Sequence, residues 1–212
     1  MGHLFADRAE AGALLAERLS VARDPVVLAL PRGGVPVAVP IVARLGGVLD
    51  VLVTRKIGFP ESPELGIGAI AEGGAPVFDR ALMARLRIGP QDVREVVERE
   101  RQELARRVAV YRGDRPLPDV TGREVIVVDD GLATGGTARA ALRAVGEMGA
   151  GRVTLAVPVG ARDSVPALRG EADEIVVLAT PADFYAVGQW YDSFDQLTDR
   201  QVLDLLARGR RT

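Results

Sequence analysis

The sequence predicts an α/β domain with a mostly parallel, five-stranded sheet flanked by helices. Three observations carry this. Short continuous apolar runs recur along the 212 residues, as expected of strands buried on both faces. Helix-period segments separate them, and strands alternating with helices imply parallel pairing through right-handed crossovers. One apolar run ends in two aspartates and a loop of small residues, the kind of strand end where ligands of open parallel sheets bind. Residues 1–212 are read as a single domain.

In chain order, Asp7 to Val21 reads as an amphipathic helix with Ala11, Leu14, Leu15 and Leu19 on one face. Pro25 to Pro31 is a first buried strand, broken by Gly33-Gly34. Val35 to Leu45 follows as a helix despite Pro36 and Pro40. Val48 to Thr54 is a second buried strand. Ile57 to Pro76 is rich in Gly and Pro and reads as a long loop or irregular hairpin. Asp79 to Leu86 and Gln91 to Arg112 are helical. In the second of these, Val93, Val97, Leu104 and Val108 share a face, with Glu95–Arg99 and Glu103–Arg107 pairs outside. After a connector (Gly113 to Gly122) come a third strand at Glu124 to Val128, a helix at Gly136 to Met148 and a fourth strand at Val153 to Val159. A short helix at Ser164 to Leu168, a fifth strand at Glu174 to Leu178 and a helix at Thr198 to Ala207 complete the pattern.

Composition narrows the chemistry by exclusion. With 27 basic against 29 acidic residues the net charge is −2, so nucleic acid is not an expected partner. No apolar run approaches the ~20 residues that span a bilayer. Met1 to Ala6 lacks a charged segment leading into an apolar one, and a cytoplasmic location is expected. There is no cysteine, which removes disulfides, thiol nucleophiles and cysteine metal sites. His3 is the sole histidine, which argues against a Ser-His-Asp triad or a two-histidine zinc site. It reads as a solvated terminal residue. Asparagine is absent, and Lys56 is the lone lysine among the 27 basic residues. Few thermolabile side chains fit a heat-adapted source, and a GC-rich genome would favour arginine equally.

The segment Val125 to Thr137 reads V-I-V-V-D-D-G-L-A-T-G-G-T. Ala133 to Thr137 lacks bulk, so its amides can close around a phosphate at a helix N-terminus, where the helix dipole adds positive charge. Asp129 and Asp130 suit adjacent hydroxyls or a magnesium-bound diol. A Walker A loop requires lysine before its last Ser/Thr, and that position is Gly136. A response regulator has paired aspartates without this glycine-threonine loop, and a mere tight turn with two solvated carboxylates would have no need for both the acidic pair and the phosphate-loop chemistry.

Over all thirteen positions the segment resembles the phosphoribosyl pyrophosphate (PRPP) motif of the type I phosphoribosyltransferase family. The resemblance implies that family's fold, with a lid hairpin and a C-terminal hood. It also implies that Asp129 and Asp130 hold the ribose hydroxyls, while Ala133, Thr134, Gly135, Gly136 and Thr137 hold the 5-phosphate. The family binds pyrophosphate in the loop after the first core strand, where Arg32 and Gly33 stand in Leu30-Pro-Arg-Gly-Gly34. The mobile loop of the family corresponds to residues 57–76. Gly66 to Ala71 matches a dinucleotide GxGxxG/A pattern on paper, but neither a preceding strand nor a following helix supports it.

Five of the nine aromatics lie between Phe184 and Phe194. Within a hood at 180–197, Trp190 and Tyr191 are candidates to stack a planar base; the bland alternative is a satellite core. Lys56, at the end of the second strand, is the candidate catalytic residue, its ammonium placed to neutralise leaving pyrophosphate. The implied function is Mg2+-dependent transfer of ribose 5-phosphate from PRPP to a nitrogenous base or amine, by a protein expected to form a homo-oligomer. Magnesium would arrive with PRPP, near Asp129 and Asp130. Relatives of the fold that sense PRPP or nucleotides without catalysis are the alternative, and a sugar-phosphate hydrolase using the aspartates is a third reading.

Overall fold

The computed structural model describes residues 2–20 and 24–209. Helix α1 (Arg8–Arg18) opens on Asp7, whose carboxylate accepts the amides of Ala9 and Glu10, a cap that satisfies free helix-end donors. The helix ends at Arg18, short of the predicted Val21, which lies outside the described residues. Ala11, Leu15 and Ala16 are buried, whereas Leu14, expected beside them, is 40% exposed.

Then come β1 (Val26–Ala29), α2 (Gly34–Leu45), β2 (Val48–Val51), β3 (Thr54–Phe59), β4 (Ser62–Ala71), β5 (Val77–Phe78), α3 (Arg80–Leu86) and α4 (Arg94–Arg112). The second half holds β6 (Glu124–Val128), α5 (Gly136–Glu147), β7 (Arg152–Val159), β8 (Glu174–Ala179) and α6 (Asp199–Gly209). Five strands form one sheet in the order β2-β1-β6-β7-β8. All four neighbouring pairs are parallel, so the predicted α/β class and five-stranded parallel sheet are what the molecule has.

The continuous apolar runs follow from coverage of both sheet faces. Val27 and Ala29 of β1 share one core with buried residues of α1, α2, α4 and α6, while Val26 and Leu28 share another with buried residues of α5. Each fully buried Val or Leu contributes roughly 1.5–3 kcal/mol, so both halves of the alternation are worth filling with aliphatic side chains. Gly12 lets α1 cross α2 closely: a Cβ there would come within 2.2 Å of the Val37 carbonyl oxygen.

The second predicted strand, Val48 to Thr54, is divided. Leu52 donates to Ala29 beyond the end of β2, and Thr54 already pairs with Ala71 in a separate antiparallel sheet, β3-β4-β5. The Gly/Pro-rich segment is therefore an irregular hairpin, with register shifts on either side of Gly58. Gly66 to Ala71 lies inside β4, consistent with setting aside the dinucleotide reading. The base of the hairpin rests on α5, where Ala69 and Ala71 meet Ala140 and Ala144. Arg55 also reaches Glu100 of α4 at 2.7 Å. Helix α4 begins at Arg94, because residues 89–93 turn around the Asp92 carboxylate, which accepts the Gly89 amide. Glu103 pairs with Arg107 as expected and with Arg106 as well, while Arg99 turns to Glu100.

Candidate active site

The strand order reverses between β1 and β6: the chain steps outward from β1 to β2, then returns past β1 to β6 and continues to β8. At such a switch point the loops diverge and leave a crevice beyond the carboxyl ends of the strands. Arg32 and Gly33 follow β1 at this crevice, and Asp129 and Asp130 follow β6. The last rung between them is the Leu30 amide donating to Val128, at 2.8 Å. The Pro31–Arg32 peptide is cis, and Arg32 is exposed. Gly33 has an ordinary helical φ of −66°, so its glycine is explained by contact instead. A Cβ there would sit 1.9 Å from Asp130 Oδ2, and one on Gly34 would sit 2.4 Å from the Val128 carbonyl oxygen.

Neither aspartate is freely solvated. Asp129 Oδ1 accepts the Asp130 amide at 2.9 Å, and Asp130 Oδ2 accepts from Arg8 Nε at 2.8 Å. Burial pushes the Asp129 carboxyl well above the usual aspartate range, and the neighbouring charge of Asp130 pushes it further. Burial also raises Asp130, against the opposing pull of Arg8. Two like charges held in a part-buried crevice are costly unless a cation or hydroxyl donors meet them.

The loop from Ala133 ends at Gly135, whose φ of +76° is the left-handed conformation that admits glycine without strain. Helix α5 starts at the next residue, so its unpaired first-turn amides and dipole face the loop. Thr134 is exposed and Thr137 half-buried. Ser164, after β7, donates to the Ala133 carbonyl and fixes the loop from the far side. A cavity of about 500 Å³ separates this helix start from the hairpin. Thr134, Gly136 and Thr137 line one wall, and Lys56, Gly66 and Phe78 line the other. Lys56 stands on hairpin strand β3, not at the end of a core strand as the sequence predicts; it is exposed, and its Nζ donates to the Glu64 carbonyl at 2.5 Å. The structure thus joins Lys56 to the Thr134–Thr137 loop, and gathers Arg32, Gly33, Asp129 and Asp130 at the switch-point crevice.

Trp190 and Tyr191 require a correction. They are 6% and 2% exposed and pack with Phe5, Phe184 and Phe194 in an aromatic core of their own. The Tyr191 ring lies 5.4 Å from Phe5 and 5.0 Å from Phe194, centroid to centroid. Enclosed rings cannot offer a face to a base, so the expected stacking role does not hold and the satellite core does. The N-terminal arm produces this burial. Leu4 and Phe5 donate to the Trp190 carbonyl, and Asp192 and Ser193 donate back to Phe5 and Ala6. His3, predicted to be solvated, contacts the Asp192 carboxylate. Tyr185, at 88% exposed, is the aromatic of this cap that faces solvent.

Arg8 and Ser164 were not foreseen. Arg8 lies 122 positions from Asp130, and in the sequence it is merely the first residue of an amphipathic helix. Nothing in Ala161 to Ser164 marks the serine as a support for a loop in another segment.

The phosphoribosyl transferase domain model matches residues 8–186. A Mycobacterium tuberculosis (strain CDC 1551 / Oshkosh) protein provisionally named a phosphoribosyl transferase is 45% identical over 210 residues, covering 98% of this chain and 47% of that protein. The chain therefore spans about half the length of the first curated relatives it matches. The uracil phosphoribosyltransferase of Lactobacillus delbrueckii subsp. bulgaricus is 29% identical over 154 residues, covering 68% of this chain and 74% of that enzyme. The crystal structure of the protein TT1426 from Thermus thermophilus superposes with a TM-score of 0.81 at 44% identity, over 95% of this chain and 97% of that one. With the family model matched across most of the sequence and the parallel sheet carrying the acidic pair at its switch point, the chain belongs to the phosphoribosyl transferase domain family.

Proposed function

We propose that this chain, acting as one domain over residues 1–212, transfers a ribose 5-phosphate unit from PRPP to a nitrogen nucleophile and releases pyrophosphate. The observation that supports this most is the gathering of an acidic pair, an arginine-glycine loop and a small-residue helix start around one sheet switch point. On this reading Asp129 and Asp130 accept the ribose hydroxyls. The amides of Ala133 to Thr137, with the Thr134 and Thr137 hydroxyls, hold the 5-phosphate at the start of α5. Arg32 and the Gly33 backbone receive the pyrophosphate, to which Lys56 brings a second cation from the hairpin wall of the adjoining cavity.

The residues fit magnesium carried in by the substrate. Among the described residues there is no cluster of three or more His, Cys, Asp or Glu that would cage a metal, whereas one or two carboxylates with substrate phosphates are an ordinary Mg2+ environment. When bound, the ion would neutralise pyrophosphate charge. In the reaction the anomeric C–O bond breaks, the bonding pair leaves with pyrophosphate, and an acceptor nitrogen forms the new C–N bond with inversion, its proton passing to solvent. Chain groups that hold both ends of PRPP supply orientation, and cations at the leaving group supply electrostatic stabilisation.

The uracil enzyme among the relatives makes uracil the first acceptor to try. Pyrophosphate release from Mg-PRPP, measured against a panel of pyrimidines, purines and amines, tests the proposal. Release that depends on one acceptor supports it, and PRPP binding without turnover for any acceptor would move the reading to a sensor.

A further inference from the structure

Asp130 is restrained from three directions. Tyr191 Oη donates to its main-chain carbonyl at 2.6 Å. Gly33 lies against its carboxylate so closely that no side chain fits between them. Arg8 Nε holds Oδ2 at 2.8 Å, with the two side chains only 12% and 15% exposed. Arg8 is itself fixed: Nη1 donates to the Asp195 carbonyl at 3.1 Å, and the guanidinium carbon lies 3.7 Å from the centre of the Phe194 ring. Two of these partners, Asp195 and Phe194, belong to the aromatic cap, as does Tyr191. The cap exists because residues 4–6 pair with residues 190–193. The matched family span begins at Arg8 and ends at 186, so the segment that fixes Arg8 lies beyond it.

We propose that Arg8, the first residue of α1, is a positioning residue for the ribose diol, fixed in place by the cap and not by the loops that hold the substrate. This rests on reading Asp129 and Asp130 as the diol site. Arg8 occupies Oδ2 and supplies the countercharge that two adjacent carboxylates need. Oδ1 is left for a ligand hydroxyl in one orientation. The pairing of residues 4–6 with residues 190–193 is thereby coupled to ribose recognition, although no cap residue need touch the sugar. A planar, multi-donor guanidinium can hold a carboxylate, a carbonyl and a ring face together, which an ammonium cannot.

Calorimetry in the presence of Mg2+, on the full chain, with PRPP, ribose 5-phosphate and inorganic phosphate as probes, tests this. Arg8→Gln is expected to weaken both ribose ligands by about tenfold or more, the scale of one charge-assisted hydrogen bond. Inorganic phosphate, which uses the helix start alone, keeps its affinity. Arg8→Lys recovers only part of the loss. Unchanged ribose 5-phosphate affinity in Arg8→Gln overturns the proposal, as does an equal loss for all three probes, which is what a merely loosened cap would give. Should Arg8→Gln fail to fold, Tyr191→Phe retains the ring and removes the bond to Asp130. A smaller loss selective for the ribose ligands is then expected, and none overturns the proposal. Wild-type protein that binds phosphate but neither ribose ligand would remove the diol reading itself, and this inference with it.

Discussion

Adjacent glycines at the end of β1 allow one substitution to be read against itself. In Gly33→Ala the new methyl would lie 1.9 Å from Asp130 Oδ2 and 2.4 Å from its Cγ. Ordinary van der Waals contact begins at 3.4 Å, so the carboxylate must retreat by about 1.5 Å. A shift of that size displaces the carboxylate relative to Arg8, which now holds it at 2.8 Å. What moves is the end of a short side chain, so the folded state relaxes. A loss of about 1 kcal/mol, or ~2–4 °C in Tm for a protein of this size, is expected. The displaced group is the one assigned to the ribose hydroxyl, and losing a charge-assisted bond costs roughly 1.5–3 kcal/mol, or about 10- to 150-fold in affinity. In Gly34→Ala the methyl meets backbone instead, 2.4 Å from the Val128 oxygen and 3.1 Å from Asp129 Cα. Main chain in the centre of the sheet cannot retreat without opening the β1–β6 ladder, and overpacking of this kind costs about 1–3 kcal/mol or more. Gly33→Ala should therefore lose Mg-PRPP affinity with a nearly native Tm, while Gly34→Ala loses Tm first. Calorimetry and thermal denaturation of the two proteins decide it. Gly33→Ala binding Mg-PRPP as tightly as wild type would refute the assignment of Asp130 to the diol.

Asp129→Asn should abolish PRPP binding yet stabilise the free protein at neutral pH. The folded carboxyl is raised above its ordinary value of 3.8, so its charged form destabilises the fold. The cost is absent below that ordinary value, grows as pH rises from it towards the folded one, and is constant above. The Tm gain of the mutant should accordingly vanish in acid, and a gain that persists there would contradict the electrostatic cause. Lys56→Ala should lower kcat more than it weakens PRPP, with poor rescue by Lys56→Arg; steady-state kinetics beside calorimetry shows this, and full activity of the alanine protein would end the catalytic assignment. Trp190→Ala should behave as a core truncation costing about 3–5 kcal/mol, seen as a large fall in Tm. Native stability coupled to selective loss of acceptor binding would restore the ring to the ligand site.

The sheet was legible in the sequence because a strand covered on both faces must be apolar throughout. Pro25 to Pro31 and Glu124 to Val128 show such runs without needing to know their neighbours. The phosphate loop was legible for a related reason: its work is done by consecutive residues, Ala133 to Thr137, whose small size and glycines are visible in one line of sequence. Lys56 stood out by composition alone, though only the structure gives it a place on the hairpin, across a cavity from that loop.

What only the tertiary structure decided concerns residues whose roles depend on distant partners. Trp190 and Tyr191 have the composition of a stacking surface, and the arm at Leu4 to Ala6 turns them into a core. Arg8 gains its meaning from a carboxylate 122 positions away, and Gly33 from the same carboxylate lying where its side chain would be. Local sequence constrains what one segment can bury or bind by itself. Which charge is neutralised by which, and which ring faces water, is settled only when residues 4–6 and 190–193 pair and bring distant side chains together.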